Sequence, residues 1–131
     1  MNGERYFLDT NAIVNLLRGN IPLAIKLQSS VWVGISVISQ IEFFAFSNLS
    51  EQDRLLFKKF CSRIEIIDLH SSNLILIEHI LRIRITYKLK LPDAIIAASA
   101  IQNNAILITD DKDFHRIVEL NVVSISYLIN R

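Results

Sequence analysis

Five short runs of β-branched, aliphatic and aromatic residues divide the chain: RYFL at 5–8, VWVGIS at 31–36, IEIIDL at 64–69, AILIT at 105–109 and VVSI at 122–125. Between them lie stretches whose apolar residues recur at three- and four-residue spacing, the mark of amphipathic helices. Strands that alternate with helices are joined by crossovers, and crossovers build parallel sheets. VWVGI, IEII and AILI are apolar enough to be covered on both sides. The expected fold class is therefore α/β, a mainly parallel sheet with helices on both faces. Ligands in such folds sit beyond the carboxyl ends of the strands.

The helical stretches carry their own punctuation. The first runs to about Arg18 and is ended by Gly19, Asn20 and Pro22; a short one covers Leu23 to Gln28. Ser36 to Ser47 places Ile38, Ile41, Phe44 and Ala45 on one face. Ser50 caps the next, with Asp53 at the capping-box position and Leu55, Leu56 and Phe60 facing inward. A helix capped by Ser71 or Ser72 runs to Thr86 with Leu74, Ile77, Leu81 and Ile85 as its buried stripe. Pro92 suits the first turn of a helix that continues to Asn103 or Asn104. A short helix over Lys112 to Glu119 completes the set.

A chain of 131 residues, 51% hydrophobic, with three Gly and two Pro, reads as a single domain over 1–131 with a filled core. The net charge of +1 excludes nothing by itself. Cys61 is the only cysteine, so no internal disulfide forms, in keeping with a reducing compartment. No signal peptide is visible, and no apolar run approaches the ~20 residues that span a bilayer. The expectation is a cytoplasmic protein without membrane contact.

Acids stand where a site would form. Asp9 ends the first strand and is followed by Thr10 and Asn11; Asp110, Asp111 and Asp113 follow Thr109 at the end of AILIT; Asp93 lies in the first turn after Pro92; Glu42 lies mid-helix beside Ile41. Each has an ordinary role open to it, as a cap, a dipole partner or a solvated turn. Together they would repel one another unless a divalent cation sat between them, and oxygen-rich acidic sites suit Mg²⁺ or Mn²⁺. Ala94, Ala97, Ala98, Ser99 and Ala100 would let the helix after Pro92 approach the sheet closely and bring Asp93 to the strand ends.

The segments FLDTNAIVNLL, SVISQIEFF, KLPDAIIAASA and ILITDDKDF, in this order and over nearly the whole chain, resemble the PIN-domain ribonucleases, in particular the VapC-type toxins of toxin–antitoxin pairs. The resemblance implies a single PIN-like domain with a five-stranded parallel sheet and an endoribonuclease activity that depends on Mg²⁺ or Mn²⁺. By motif, Asp9, Glu42, Asp93 and Asp111 are the catalytic acids, with Asp9, Asp93 and Asp111 on the metal. Asp113 is the second candidate for the fourth position, and Asp110 carries least weight. Thr10, Asn11 and Thr109 would orient ligands or water. An antitoxin and a homodimer are the implied protein partners.

Two surface features accompany the acids. Arg82, Arg84, Tyr87, Lys88 and Lys90 precede Asp93 as a cationic, aromatic rim suited to an RNA backbone and an unpaired base, or equally to a solvated helix end. Phe43, Phe44 and Phe46 cannot all face one core, so at least one is expected at the surface. His70, His79 and His115 lack metal-ligand spacing. The rival function is a PIN scaffold without activity that binds RNA or protein, which retention of all four acids opposes. A receiver domain or an Asp-x-Asp phosphatase is disfavoured because residue 11 is Asn, and no glycine-rich phosphate loop exists.

Overall fold

The computed structural model describes residues 3–129; the first two and last two residues of the expected 1–131 domain lie outside the described residues. The five runs form β1 (Arg5–Leu8), β2 (Trp32–Ser36), β3 (Glu65–Ile67), β4 (Ile106–Ile108) and β5 (Val122–Val123). All adjacent pairs are parallel, and the order is β3-β2-β1-β4-β5. The direction of winding therefore reverses between β1 and β4. In open α/β sheets that switch point opens a crevice at the carboxyl ends.

The helices are α1 (Thr10–Leu17), α2 (Ile21–Gln28), α3 (Val37–Phe44), α4 (Glu51–Cys61), α5 (Leu74–Tyr87), α6 (Leu91–Gln102), α7 (Lys112–His115) and α8 (Ile125–Ile129). The two-residue period of the strands sorts them onto two faces. Phe7 and Leu107 point into a core with Leu76, Ile80 and Ile83 of α5 and the alanines of α6. Tyr6, Leu8, Ile35 and Ile108 point the other way, onto Ile13, Leu23, Phe43 and Phe57. Every residue of α6 from Ala94 to Ala100 is buried. Its small side chains let it lie between the sheet and α5, as expected. Among the described residues no helix is long and apolar enough to cross a membrane.

Three helices turn a different face inward than their spacing suggests. In α3 the buried positions are Ser39 and Phe43, while Ile41 is 60% exposed and Ala45 lies outside the helix. Phe43 wins because it stacks on Phe57 of α4 at 4.1 Å between ring centroids. The same contact makes Phe57, and not Leu55 or Leu56, the buried residue of α4; Phe60 is partly covered. In α5 the inner stripe is Leu76, Ile80 and Ile83, and Leu74, Leu81 and Ile85 face outward. LILIEHILRIRITY offers two apolar stripes, and the fit against α6 selects one. Asn73, rather than Ser71 or Ser72, caps this helix by accepting the Leu76 N–H. The helix expected over 112–119 ends at His115, and α8 was not foreseen.

Gly34 is the one glycine whose side-chain space is already filled. A Cβ there would lie 2.3 Å from the Trp32 ring. That ring cannot swing away freely, because the Arg5 guanidinium lies 4.3 Å from its centroid and its Nε1 donates to Glu65 at 3.1 Å. Gly34→Ala is expected to destabilise the fold by about 1–3 kcal/mol through overpacking. In urea unfolding this lowers the midpoint and leaves the slope unchanged.

Candidate metal and nuclease site

The register of β1 with β4 pairs Leu8 with Ile108, so the next residue on each strand, Asp9 and Thr109, meets at the switch point. Asp9 is both a cap and a site residue. Its backbone is extended, its Oδ1 accepts the Ala12 N–H at 2.8 Å, and α1 starts from it. Its Oδ2 accepts the Thr109 hydroxyl. The same hydroxyl oxygen accepts the Asp111 N–H at 3.0 Å, so Thr109 ties the first acid to the loop that carries the fourth. The His115 ring lies 3.1 Å from the Thr109 carbonyl, which can only accept, so Nε2 carries the proton.

Asp9, Glu42, Asp93 and Asp111 line one cavity of about 210 Å³ together with Thr10, Asn11, Phe46, Ile96 and Phe114. The four acids come from four separate stretches of chain. Thr10 donates to Glu42 at 2.6 Å and fixes that carboxylate to the start of α1. Asp93 sits in the first turn of α6, whose N-cap, Lys90, makes no side-chain cap bond. Asp111 is the N-cap of α7 and accepts the Asp113 N–H at 2.9 Å.

The electrostatics reflect the crowding. Asp9 is 4% exposed. Burial first, then the like charges of Asp111 and Asp110, push its pKa from 3.8 to about 6 against the hydrogen bonds from Thr109 and Ala12. Asp93 is also raised, by burial and then by Asp111 and Glu42, and Lys90 opposes this. Neither ion pair among the described residues, Arg82–Glu119 and Arg116–Asp113, lies within the cavity.

The donor chemistry fits a hard divalent cation: carboxylate oxygens converge on one cavity, and no Lys or Arg lines it. Among the described residues no three His, Cys, Asp or Glu are already gathered into a metal-holding cluster. The carboxylates line one cavity without being drawn into such a cluster.

The other expected residues are distributed more widely. Asp113 is exposed and lies 3.8 Å from Arg116. Asp110 accepts the Ile125 N–H at 2.8 Å and anchors the start of α8. In the cationic rim, Arg82 and Tyr87 both donate to Glu119, at 2.7 and 2.8 Å. Arg84 donates to the Leu89 carbonyl, and Lys88 is the left-handed C-cap of α5. Lys90 alone of the five affects a cavity acid. Phe46, Ile96 and Phe114 are lining residues that spacing did not single out; of the three phenylalanines of which at least one was expected at the surface, the exposed one is Phe46.

A PIN domain family model matches residues 6–120. Among solved structures, a toxin–antitoxin complex from Klebsiella pneumoniae holds a chain of 31% identity and TM-score 0.72, with 90% of this chain and 95% of that chain covered. VapBC2 from Rickettsia felis, bound to a DNA fragment from its promoter, gives 26% identity and TM-score 0.77 over 91% and 97% of the two chains. VapBC-1 from nontypeable Haemophilus influenzae gives 25% and 0.72 over 91% and 96%. Comparison with curated proteins finds no match. With 6–120 matched by the family model and the acids of four segments on one cavity at the sheet's switch point, the chain belongs to the PIN domain family.

Proposed function

We propose that the protein is a metal-dependent endoribonuclease and the toxin of a toxin–antitoxin pair. The observation that carries this reading is the convergence of Asp9, Glu42, Asp93 and Asp111 on one cavity in a PIN-family chain. Asp9, Asp93 and Asp111 would hold Mg²⁺ or Mn²⁺. The bound ion supplies positive charge that polarises the scissile phosphate and eases ionisation of water. Glu42, steadied by Thr10, orients the attacking water, and Thr109 keeps Asp9 and Asp111 together. Water oxygen joins phosphorus, the bond to O3′ breaks, and O3′ takes a proton. The products are a 5′-phosphate and a 3′-hydroxyl. Of the basic rim, Lys90, whose charge acts on Asp93, attracts the phosphate backbone.

The solved relatives are toxin–antitoxin complexes, which supports a cognate antitoxin for this chain, and a homodimer and a cytoplasmic location belong to the same reading. The test is incubation of the purified protein with a total small-RNA pool. With Mn²⁺ or Mg²⁺ discrete cleavage products carrying 5′-phosphates are expected, and with EDTA none. Intact RNA in the presence of folded protein and metal would instead favour a PIN scaffold without activity.

A further inference from the structure

A second cavity adjoins the acid cavity. Asn11 and Phe46 line the acid cavity, and both also line the second, of about 490 Å³, which extends along α1 to Arg18 and Asn48. Phe46 is 44% exposed. Its ring is backed by Phe43, 5.7 Å away between centroids at 52°, and Phe43 in turn stacks on the buried Phe57. The exposed ring therefore rests on an aromatic stack rooted in the core. It lies at the junction of the two cavities, packed at a tilt on Phe43. Among the described residues the side chains of Asn11, Arg18 and Asn48 have no hydrogen-bond or ion-pair partner, so two amides and a guanidinium are free around it.

On the nuclease reading above, we propose that the second cavity receives an unpaired nucleobase of the RNA, stacked on Phe46, from a nucleotide flanking the scissile phosphate. Three features favour a base over an apolar peptide. The cavity shares Asn11 and Phe46 with the acid cavity, so a phosphate held at the acids puts a neighbouring base beside Phe46. An aromatic face beside free amides matches the π-surface and the hydrogen-bonding edge of a base. Arg18 offers a positive charge for the next phosphate, while the carboxylate of Asp53 on the same cavity is turned to the Ser50 N–H. The volume lies within the ~300–1,000 Å³ of small-ligand sites. Because a base inside a duplex cannot reach Phe46, cleavage is confined to single-stranded or looped RNA.

The test uses an RNA oligonucleotide spanning the strongest cleavage site found in the small-RNA pool, with Mn²⁺, alone and annealed to its complement. Phe46→Leu keeps apolar bulk on Phe43 but removes the π-face. Its KM should rise about tenfold, the lower part of the stacking range, with kcat within twofold of wild type. Phe46→Tyr keeps the face and should bring KM back. The annealed oligonucleotide should resist cleavage. The inference is overturned by a Phe46→Leu variant that matches wild type, by a loss confined to kcat, by a Phe46→Tyr variant as impaired as Phe46→Leu, or by equal cleavage of the duplex. Wild-type protein that cleaves nothing with metal present overturns the nuclease reading, and this inference with it.

Discussion

Replacing Asp93 by Asn should slow RNA cleavage by about a hundred- to a thousandfold, the cost of losing one preorganised charge at a reacting centre. The same substitution should raise the thermal midpoint of the metal-free protein. The two effects share a cause. Asp93 is half-buried on α6 and repelled by Asp111 and Glu42, which is why its pKa is raised. Asn has the same shape without the charge, so the neighbouring carboxylates are relieved while the first turn of α6 keeps its packing. An acid kept only to complement the helix dipole would behave the other way, since its loss would lower stability by a few tenths to ~1 kcal/mol and leave cleavage intact. Single-turnover cleavage with Mn²⁺ and thermal unfolding in EDTA, run on the same preparation, separate the two cases. Retained activity in Asp93→Asn removes this residue from the site.

The strands and the acids differ in how far the sequence exposes them. YFL, VWVGI and AILI are short apolar runs, the first two rich in aromatic or β-branched residues and all bounded by polar residues, so their strands are readable locally. Asp9 and Asp93 are readable because each follows a structural signal, a strand end and Pro92. Their meeting is not local. It depends on β4 inserting beside β1, and nothing in the spacing of residues 9 and 109 requires that order. Which of Asp111 and Asp113 faces the cavity is likewise decided by the turn. Asp111 caps α7 and lines the cavity, and Asp113, inside the helix, lies out near Arg116. The inner faces of α3, α4 and α5 were misread for one physical reason. Each is apolar on more than one stripe, and the stacking of Phe43 on Phe57 and the fit of α5 against α6 are tertiary facts. The cationic rim shows the same limit, since Glu119, 32 residues from Tyr87, takes up both Arg82 and Tyr87.

The second large effect belongs to Asp9. Its carboxyl is nearly closed off from water and ionises at about 6 rather than 3.8. A folded-state pKa above the unfolded value means that the folded protein binds the proton more tightly. In the metal-free protein the ionised form therefore costs stability. That cost is absent below about pH 4, grows as pH rises toward 6, and is fully present above it. Its size is about 3 kcal/mol. Asp9→Asn keeps an acceptor for the Ala12 N–H and carries no charge to desolvate. In urea titrations with EDTA, the stability of Asp9→Asn relative to wild type should climb by about 3 kcal/mol between pH 4 and pH 7, from a starting difference that a weaker bond from Thr109 lowers by about 1 kcal/mol at every pH. Added Mn²⁺ should reverse the ranking at pH 7. The cation competes with the proton for the same oxygens, and wild type gains about 4.1 kcal/mol at a thousand times the dissociation constant, a gain that the variant largely lacks. A difference that stays flat with pH would mean that Asp9 ionises as it does in water, and a Mn²⁺ effect equal in both proteins would put the metal elsewhere. On the metal-binding reading proposed above, a cation at Asp9 would relieve the cost of holding that carboxylate charged and dry, so the property that weakens the metal-free fold is also the one that would draw metal to the cavity.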